Sequence, residues 1–125
     1  MLSSTLKRMG LLALCWVLTA NAQQIRILIQ SSPLAGYQYH AGGELWEQLK
    51  VGDELKLVRE PANPHDSNAI RVEWQGKQLG YLPRAENQAI AVELDRGSRV
   101  EARIARLREA RNPWQRVLID VFVAI

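Results

Sequence analysis

Ala69-Ile70-Arg71-Val72-Glu73-Trp74, then Gln75-Gly76, then Lys77-Gln78-Leu79-Gly80-Tyr81-Leu82 is the stretch that decides the fold class of this chain. Ile70, Val72 and Trp74 alternate with Arg71 and Glu73, the period-2 pattern of a strand with one buried face. The two-residue link ends in glycine, and two such runs about it predict a β-hairpin. Upstream, Pro61-Ala62-Asn63-Pro64-His65-Asp66-Ser67-Asn68 is a turn-rich loop, because its prolines cannot sit inside a sheet. Before that loop, residues 54–59 read as a strand. Gln24-Ile25-Arg26-Ile27-Leu28-Ile29-Gln30 alternates around isoleucines and predicts a first strand that buries one face and ends at Ser31-Ser32-Pro33. Residues 34–43, with Tyr37 and Tyr39 among glycines, read as an ordered loop. Leu45, Trp46 and Leu49 share one face of a short helix over 44–49. Downstream, Pro83 suits a helix first turn, and a second helix is expected over 85–94, stopped at Arg96-Gly97-Ser98. Residues 100–107 and 117–123 complete the strands, joined by 109–115. Six short strands with two short helices imply a mainly β, single small domain built as a closed or partly closed β-barrel.

The first 22 residues read differently. Lys7 and Arg8 precede an apolar run over 9–20, and Ala20-Asn21-Ala22 presents two small residues at signal-peptidase spacing before polar Gln23-Gln24. Residues 1–22 are therefore expected to be a cleaved signal peptide and 23–125 the exported domain, periplasmic or secreted. The apolar run is about a dozen residues, short of the roughly 20 a membrane-spanning helix needs, so the mature domain is not expected to span a membrane. Leu14 occupies the position before Cys15 where a lipidation box wants a small residue. Cys15 is the one cysteine of the 125-residue chain, so its removal excludes disulfides, thiolate zinc sites and cysteine catalysis in the mature domain. Removing Lys7 and Arg8 brings 16 basic residues to 14 against 13 acidic ones, which leaves that domain close to neutral.

No Gly-rich phosphate loop, nucleophilic-serine elbow or His-Glu-x-x-His run occurs. A small hydrolase would have to rely on His65 and Asp66 as its acid–base pair, and adjacent loop residues rarely converge on one reacting atom. His40, His65 and Asp66 are the weak candidates for a metal site. No cofactor is expected, since zinc usually takes three or four ligands and neither histidine has a second ligand at the required spacing. Tyr37, Tyr39, His65, Tyr81 and Trp114 lie near glycines and supply flat faces on which nucleobases stack. Asp66 can accept a hydrogen bond from a sugar hydroxyl. The same rings are equally what a small barrel half-buries. Residues 96–116 hold seven arginines against Glu101 and Glu109, a charge that draws phosphates if the arginines line a groove and is a solvated strand face if they do not.

Gly36-Tyr37-Gln38-Tyr39-His40-Ala41-Gly42, the run from Leu57 through Arg59-Glu60-Pro61-Ala62-Asn63-Pro64-His65-Asp66-Ser67-Asn68-Ala69-Ile70 to Val72, and Leu79-Gly80-Tyr81-Leu82-Pro83 together resemble the HIRAN domain, over about residues 24–122. The resemblance implies an OB-like β-barrel and, from a eukaryotic DNA-repair member of that family, a grip on the 3′-hydroxyl end of single-stranded DNA. It implies that Tyr39 stacks on the terminal base and that Asp66 meets the terminal hydroxyl. His65, Tyr81 and Trp114 fall where that member has a tyrosine, a histidine and a phenylalanine, each exchange keeping a ring. Gln38 replaces an arginine that helps hold the DNA, which removes a phosphate contact. Helicase and nuclease activities go with modules to which such domains are often fused. The expectation is an exported binding module whose site (Tyr37, Gln38, Tyr39, His65, Asp66, Tyr81 and Trp114) takes a nucleic-acid end or a nucleotide-like ligand. The alternative is an envelope protein-interaction domain, favoured by the near-neutral charge and by Gln38.

Overall fold

The computed structural model describes residues 24–40 and 42–125. The expected signal peptide and Cys15 lie outside the described residues. The elements are β1 (Arg26–Pro33), a 3-10 turn (Tyr37–Tyr39), α1 (Gly42–Leu45) continued by a 3-10 turn (Trp46–Gln48), β2 (Glu54–Arg59), β3 (Ile70–Trp74), β4 (Lys77–Tyr81), a 3-10 turn (Arg84–Glu86), α2 (Gln88–Asp95), β5 (Val100–Leu107), a 3-10 turn (Pro113–Gln115) and β6 (Val117–Ala124). The strands form one sheet in the order β1-β6-β5-β2-β3-β4 with antiparallel neighbours.

The two ends of that sheet meet at Ala35, just past β1. Its N–H donates to the carbonyl of Tyr81 in β4 at 2.8 Å, and the Tyr81 N–H donates back at 2.9 Å. This single bridge closes the sheet into a barrel. Gly80 permits it, because a Cβ at that position would stand 2.3 Å from the Ala35 carbonyl oxygen. Alternation along β3 buries Ile70, Val72 and Trp74, as its sequence predicts. The β3–β4 turn needs positive φ at both central residues, supplied by Gln75 at 48° and Gly76 at 79°. Leu79, Ile104, Ile119 and Val121 fill the barrel, α2 adds Ile90 and Ala91, and Leu45 and Leu49 close the end beside α1. Among the described residues no helix is long and apolar enough to cross a membrane.

Two expectations are corrected. β1 does not stop at Ser31-Ser32-Pro33 but runs through all three, and a bulge between Leu28 and Gln30 shifts its register on β6. Its wall positions are therefore Ser32 and, beyond the strand, Leu34, while Ile27 (47%), Leu28 (52%) and Ile29 (40%) stay exposed. Alternation marks a face but cannot say what covers it: Ile27 and Ile29 line a cleft with Ala89, Ile90 and Glu93 of α2 and Val123 of β6, and that neighbour leaves them only partly covered. The second helix begins at Gln88 rather than Ala85, behind the turn Arg84–Glu86. Asn87, at the junction, makes no side-chain cap and instead turns its buried amide to Asp66.

Candidate functional site

The loop between β2 and β3 is held in shape by the polar residues of its own motif. Arg59, at the end of β2, donates to both carboxylate oxygens of Asp95, at 3.0 and 3.2 Å, and to the Ser67 carbonyl at 2.8 Å. Glu60 accepts from Arg71 at 2.6 Å, from the Tyr81 hydroxyl at 3.0 Å and from the Asn63 amide at 3.1 Å. The Asn63 side-chain oxygen in turn accepts the His65 N–H at 2.9 Å, and Asp66 Oδ1 accepts the Asn68 N–H at 2.9 Å. These are Asx turns, in which a short side chain imitates a backbone turn.

That loop forms one wall of a pocket of about 320 Å³ lined by Ala35, Asn63, His65, Asp66, Ala69, Tyr81, Leu82 and Arg84. The barrel-closing bridge supplies the opposite wall through Ala35 and Tyr81. Asp66 is half-buried, with Oδ2 accepting from the Asn87 amide at 2.8 Å and Oδ1 already on Asn68. Each oxygen thus has one donor, and a carboxylate has capacity for about four. Burial works against ionisation of Asp66, but the Asn68 and Asn87 hydrogen bonds and the charges of Arg84 and Arg59 outweigh it, so its pKa lies below the ordinary aspartate value. A carboxylate held ionised in this way is a standing hydrogen-bond acceptor and, at neutral pH, a weak proton abstractor.

Tyr81 is fixed differently. Burial and its hydrogen bond to Glu60 raise its pKa, so the hydroxyl stays protonated and committed to Glu60 while the ring walls the pocket. His40 stands edge-on to that ring, with centroids 5.9 Å apart and planes at 61°. Glu60 is pushed up by burial, yet the hydrogen bonds from Asn63, Tyr81 and Arg71 bring it below the ordinary glutamate value.

The pocket therefore unites His65, Asp66 and Tyr81 from the expected site residues. Tyr37 is not available to a ligand: it is fully buried, with Trp46 edge-on at 6.3 Å and the Arg116 guanidinium 5.9 Å over its ring. Gln38 and Tyr39 are exposed in the adjacent 3-10 turn, Tyr39 at 79%, outside the pocket walls but one residue from His40. Trp114 is 46% exposed on the turn before β6, where the Asn112 side chain caps the Trp114 N–H at 3.1 Å, and it does not line the pocket. Asn63 and Arg84 are pocket residues that reading the sequence for rings did not single out. Asn63 lies within the motif; Arg84 is an exposed cation without an ion-pair partner among the described residues, and no spacing signal marks it.

Among the described residues no group of three or more His, Cys, Asp or Glu side chains is placed to hold a metal ion. His40, His65 and Asp66 are not brought together as such a group. The arginine-rich segment divides. Arg96 pairs with Glu93, Arg99 lies 3.8 Å from Glu101, and Arg103 sits in register with Glu54 on one side and Asp120 on the other. That part is locally charge-balanced, and of its three arginines Arg103 alone lies on a strand. Arg106, Arg108 and Arg111 are exposed without an ion pair among the described residues.

The chain is thus a small barrel closed by one bridge, with a rim pocket that sets His65 and Tyr81 about the Asp66 carboxylate. The HIRAN domain family model matches residues 27–125, and the chain belongs to the HIRAN family. The fold is similar to that of a protein from Lactobacillus plantarum, with a TM-score of 0.70 and 27% identity over 82% of this chain and 98% of that one. It is also similar to the HIRAN domain of human HLTF, with a TM-score of 0.61 and 24% identity over 79% of this chain and 78% of that one. In sequence it is 34% identical over 73 residues to a Fanconi-associated nuclease 1 homolog of Oryza sativa subsp. japonica. That match covers 55% of this chain and 7% of the rice protein.

Proposed function

We propose that the rim pocket binds the 3′-hydroxyl end of a single-stranded nucleic acid, or a nucleotide-like ligand with the same ring-plus-hydroxyl chemistry. The observation that carries this reading is the convergence of His65, Asp66, Tyr81 and Arg84 on one pocket in which Asp66 is held ionised. Asp66 accepts the terminal hydroxyl. Tyr39, exposed beside the rim, stacks on the terminal base. Arg84 meets the adjoining phosphate, a cation that replaces the one lost at Gln38.

The test is a titration of the purified domain, followed by tryptophan fluorescence, with short single strands ending in a free or a phosphorylated 3′-hydroxyl. A free end should bind more tightly, because a terminal phosphate sets negative charge against Asp66. Asp66→Asn should weaken the free end by roughly ten- to a hundredfold, the worth of about 1.5–3 kcal/mol for a hydrogen bond to a charged group. Equal affinity for both ends, unchanged by Asp66→Asn, would remove the reading. The exposed apolar half of β1 favours a second reading, protein contact in the cell envelope. Capture of an envelope partner that oligonucleotide does not displace, and that Ile27→Lys abolishes, would support it. Export itself is part of the proposal and rests on the pattern of residues 1–22.

A further inference from the structure

We infer that a second cleft, between α1 and the loop joining β5 to β6, is a subsite for an internal nucleotide of the same strand; this rests on the end-binding reading above. The cleft measures about 490 Å³ and is lined by Gly43, Trp46, Glu109, Ala110, Arg111 and Arg116. It pairs one indole with two guanidinium groups against a single carboxylate. Its parts are held in place. Arg116 Nε donates to the Ala110 carbonyl at 2.7 Å, and its guanidinium lies over the Tyr37 ring, whose neighbour at 83° is Trp46. Tyr37 is thus the buried spacer that sets the cation and the indole at a fixed separation. Arg116 spends one of its five N–H donors on Ala110, and its terminal nitrogens make no ion pair among the described residues. Arg111 is exposed and likewise unpaired there.

An aromatic side chain beside one held and one exposed cation is the chemistry that takes a base and its phosphodiester together. Position in the chain links the two sites. Ala35 walls the rim pocket, Gly43 walls the second cleft, and the turn Tyr37–Tyr39 lies between them with Tyr39 outermost. That turn packs against β4, against α1 and against the turn Pro113–Gln115. A strand whose end occupies the Asp66 pocket and whose terminal base covers Tyr39 is directed toward Trp46 and Arg116. The footprint then spans several nucleotides, on the order of the four or more found for barrels of this kind.

Oligothymidylates of two and six nucleotides, both with free 3′ ends, distinguish the subsites. The six-mer should bind at least tenfold more tightly than the two-mer. Arg111→Ala, at an exposed site, should weaken the six-mer about three- to tenfold, reduce its log K against log salt slope by about 0.7, and leave the two-mer unchanged. No gain with length, an unaltered six-mer, or equal losses on both lengths would overturn the inference while leaving the Asp66 effect on the two-mer intact. A two-mer indifferent to Asp66→Asn, with the Arg111 effect on the six-mer retained, would instead sink the end pocket and spare the second cleft. Arg116→Lys keeps the charge but loses the forked geometry and the Nε–Ala110 hydrogen bond, and it should reproduce the Arg111→Ala loss on the six-mer when read well below a melting temperature that the lost contact lowers.

Discussion

Gly80→Ala is the substitution on which barrel closure and site geometry depend together. The new methyl would stand 2.3 Å from the Ala35 carbonyl oxygen and 3.2 Å from the Leu34 side chain. Leu34 can yield by a rotamer change, but the carbonyl is backbone and moves only if the Ala35–Tyr81 bridge opens. That bridge consists of two hydrogen bonds, each worth about 1 kcal/mol net. Displacing Leu34, which is 1% exposed, adds an overpacking penalty of about 1 kcal/mol or more. The loss should therefore be about 3 kcal/mol, which for a domain of this size lowers the melting temperature by roughly 12–24 °C. Urea unfolding of wild type and variant, with amide exchange at Ala35 and Tyr81, measures both halves of the claim. Because Ala35 and Tyr81 also wall the rim pocket, affinity for a 3′-hydroxyl strand should fall under conditions where the variant is still folded. A loss under about 0.5 kcal/mol with both amides still protected would show that the strands do not meet as described, and the account of closure would fail.

Three further outcomes follow from named contacts. The lowered pKa of Glu60 means that its stabilisation is present above its unfolded-state pKa and is lost as pH falls through the lower folded-state value; Glu60→Gln should be less stable than wild type at pH 7, and the gap in urea midpoints should close on acidification, a constant gap being the contrary result. Arg84→Gln should reduce the salt slope of single-strand binding by about 0.7 with little change in melting temperature, since Arg84 is exposed and holds no ion pair among the described residues. Ile27→Ser should change stability by about 0.5 kcal/mol or less, as for surface positions generally, whereas a core isoleucine would lose several times that.

The β3–β4 hairpin was legible because alternation, a short link and Gly76 all name the same turn, and each is a local property. Strands β2, β5 and β6 were legible for the same reason. β1 was half legible: its pattern declares a strand, but the bulge after Leu28 and the incomplete cover that α2 gives Ile27 and Ile29 are facts about neighbours. Tyr37 shows the limit most clearly. It and Tyr39 are one residue apart, share a ring and border the same glycines, yet one is fully buried and the other is 79% exposed. A 3-10 turn points them apart, and only the position of Trp46 and Arg116 makes one side of that turn the interior.

The sequence by itself determined the strand count, the loop motif from Arg59 to Ile70, the near-balance of charge expected once residues 1–22 are removed, and the resemblance that led to the family. Those rest on residue type and spacing along the chain. The tertiary structure alone decided that His65 and Asp66 from one loop, Tyr81 from β4 and Arg84 from the following turn share a pocket, and that Trp114 does not line it. Barrel closure at Ala35 brings segments more than 40 residues apart in sequence into two hydrogen bonds. A contact of that kind leaves almost no local trace, because its physical requirement at Gly80 is the absence of a side chain.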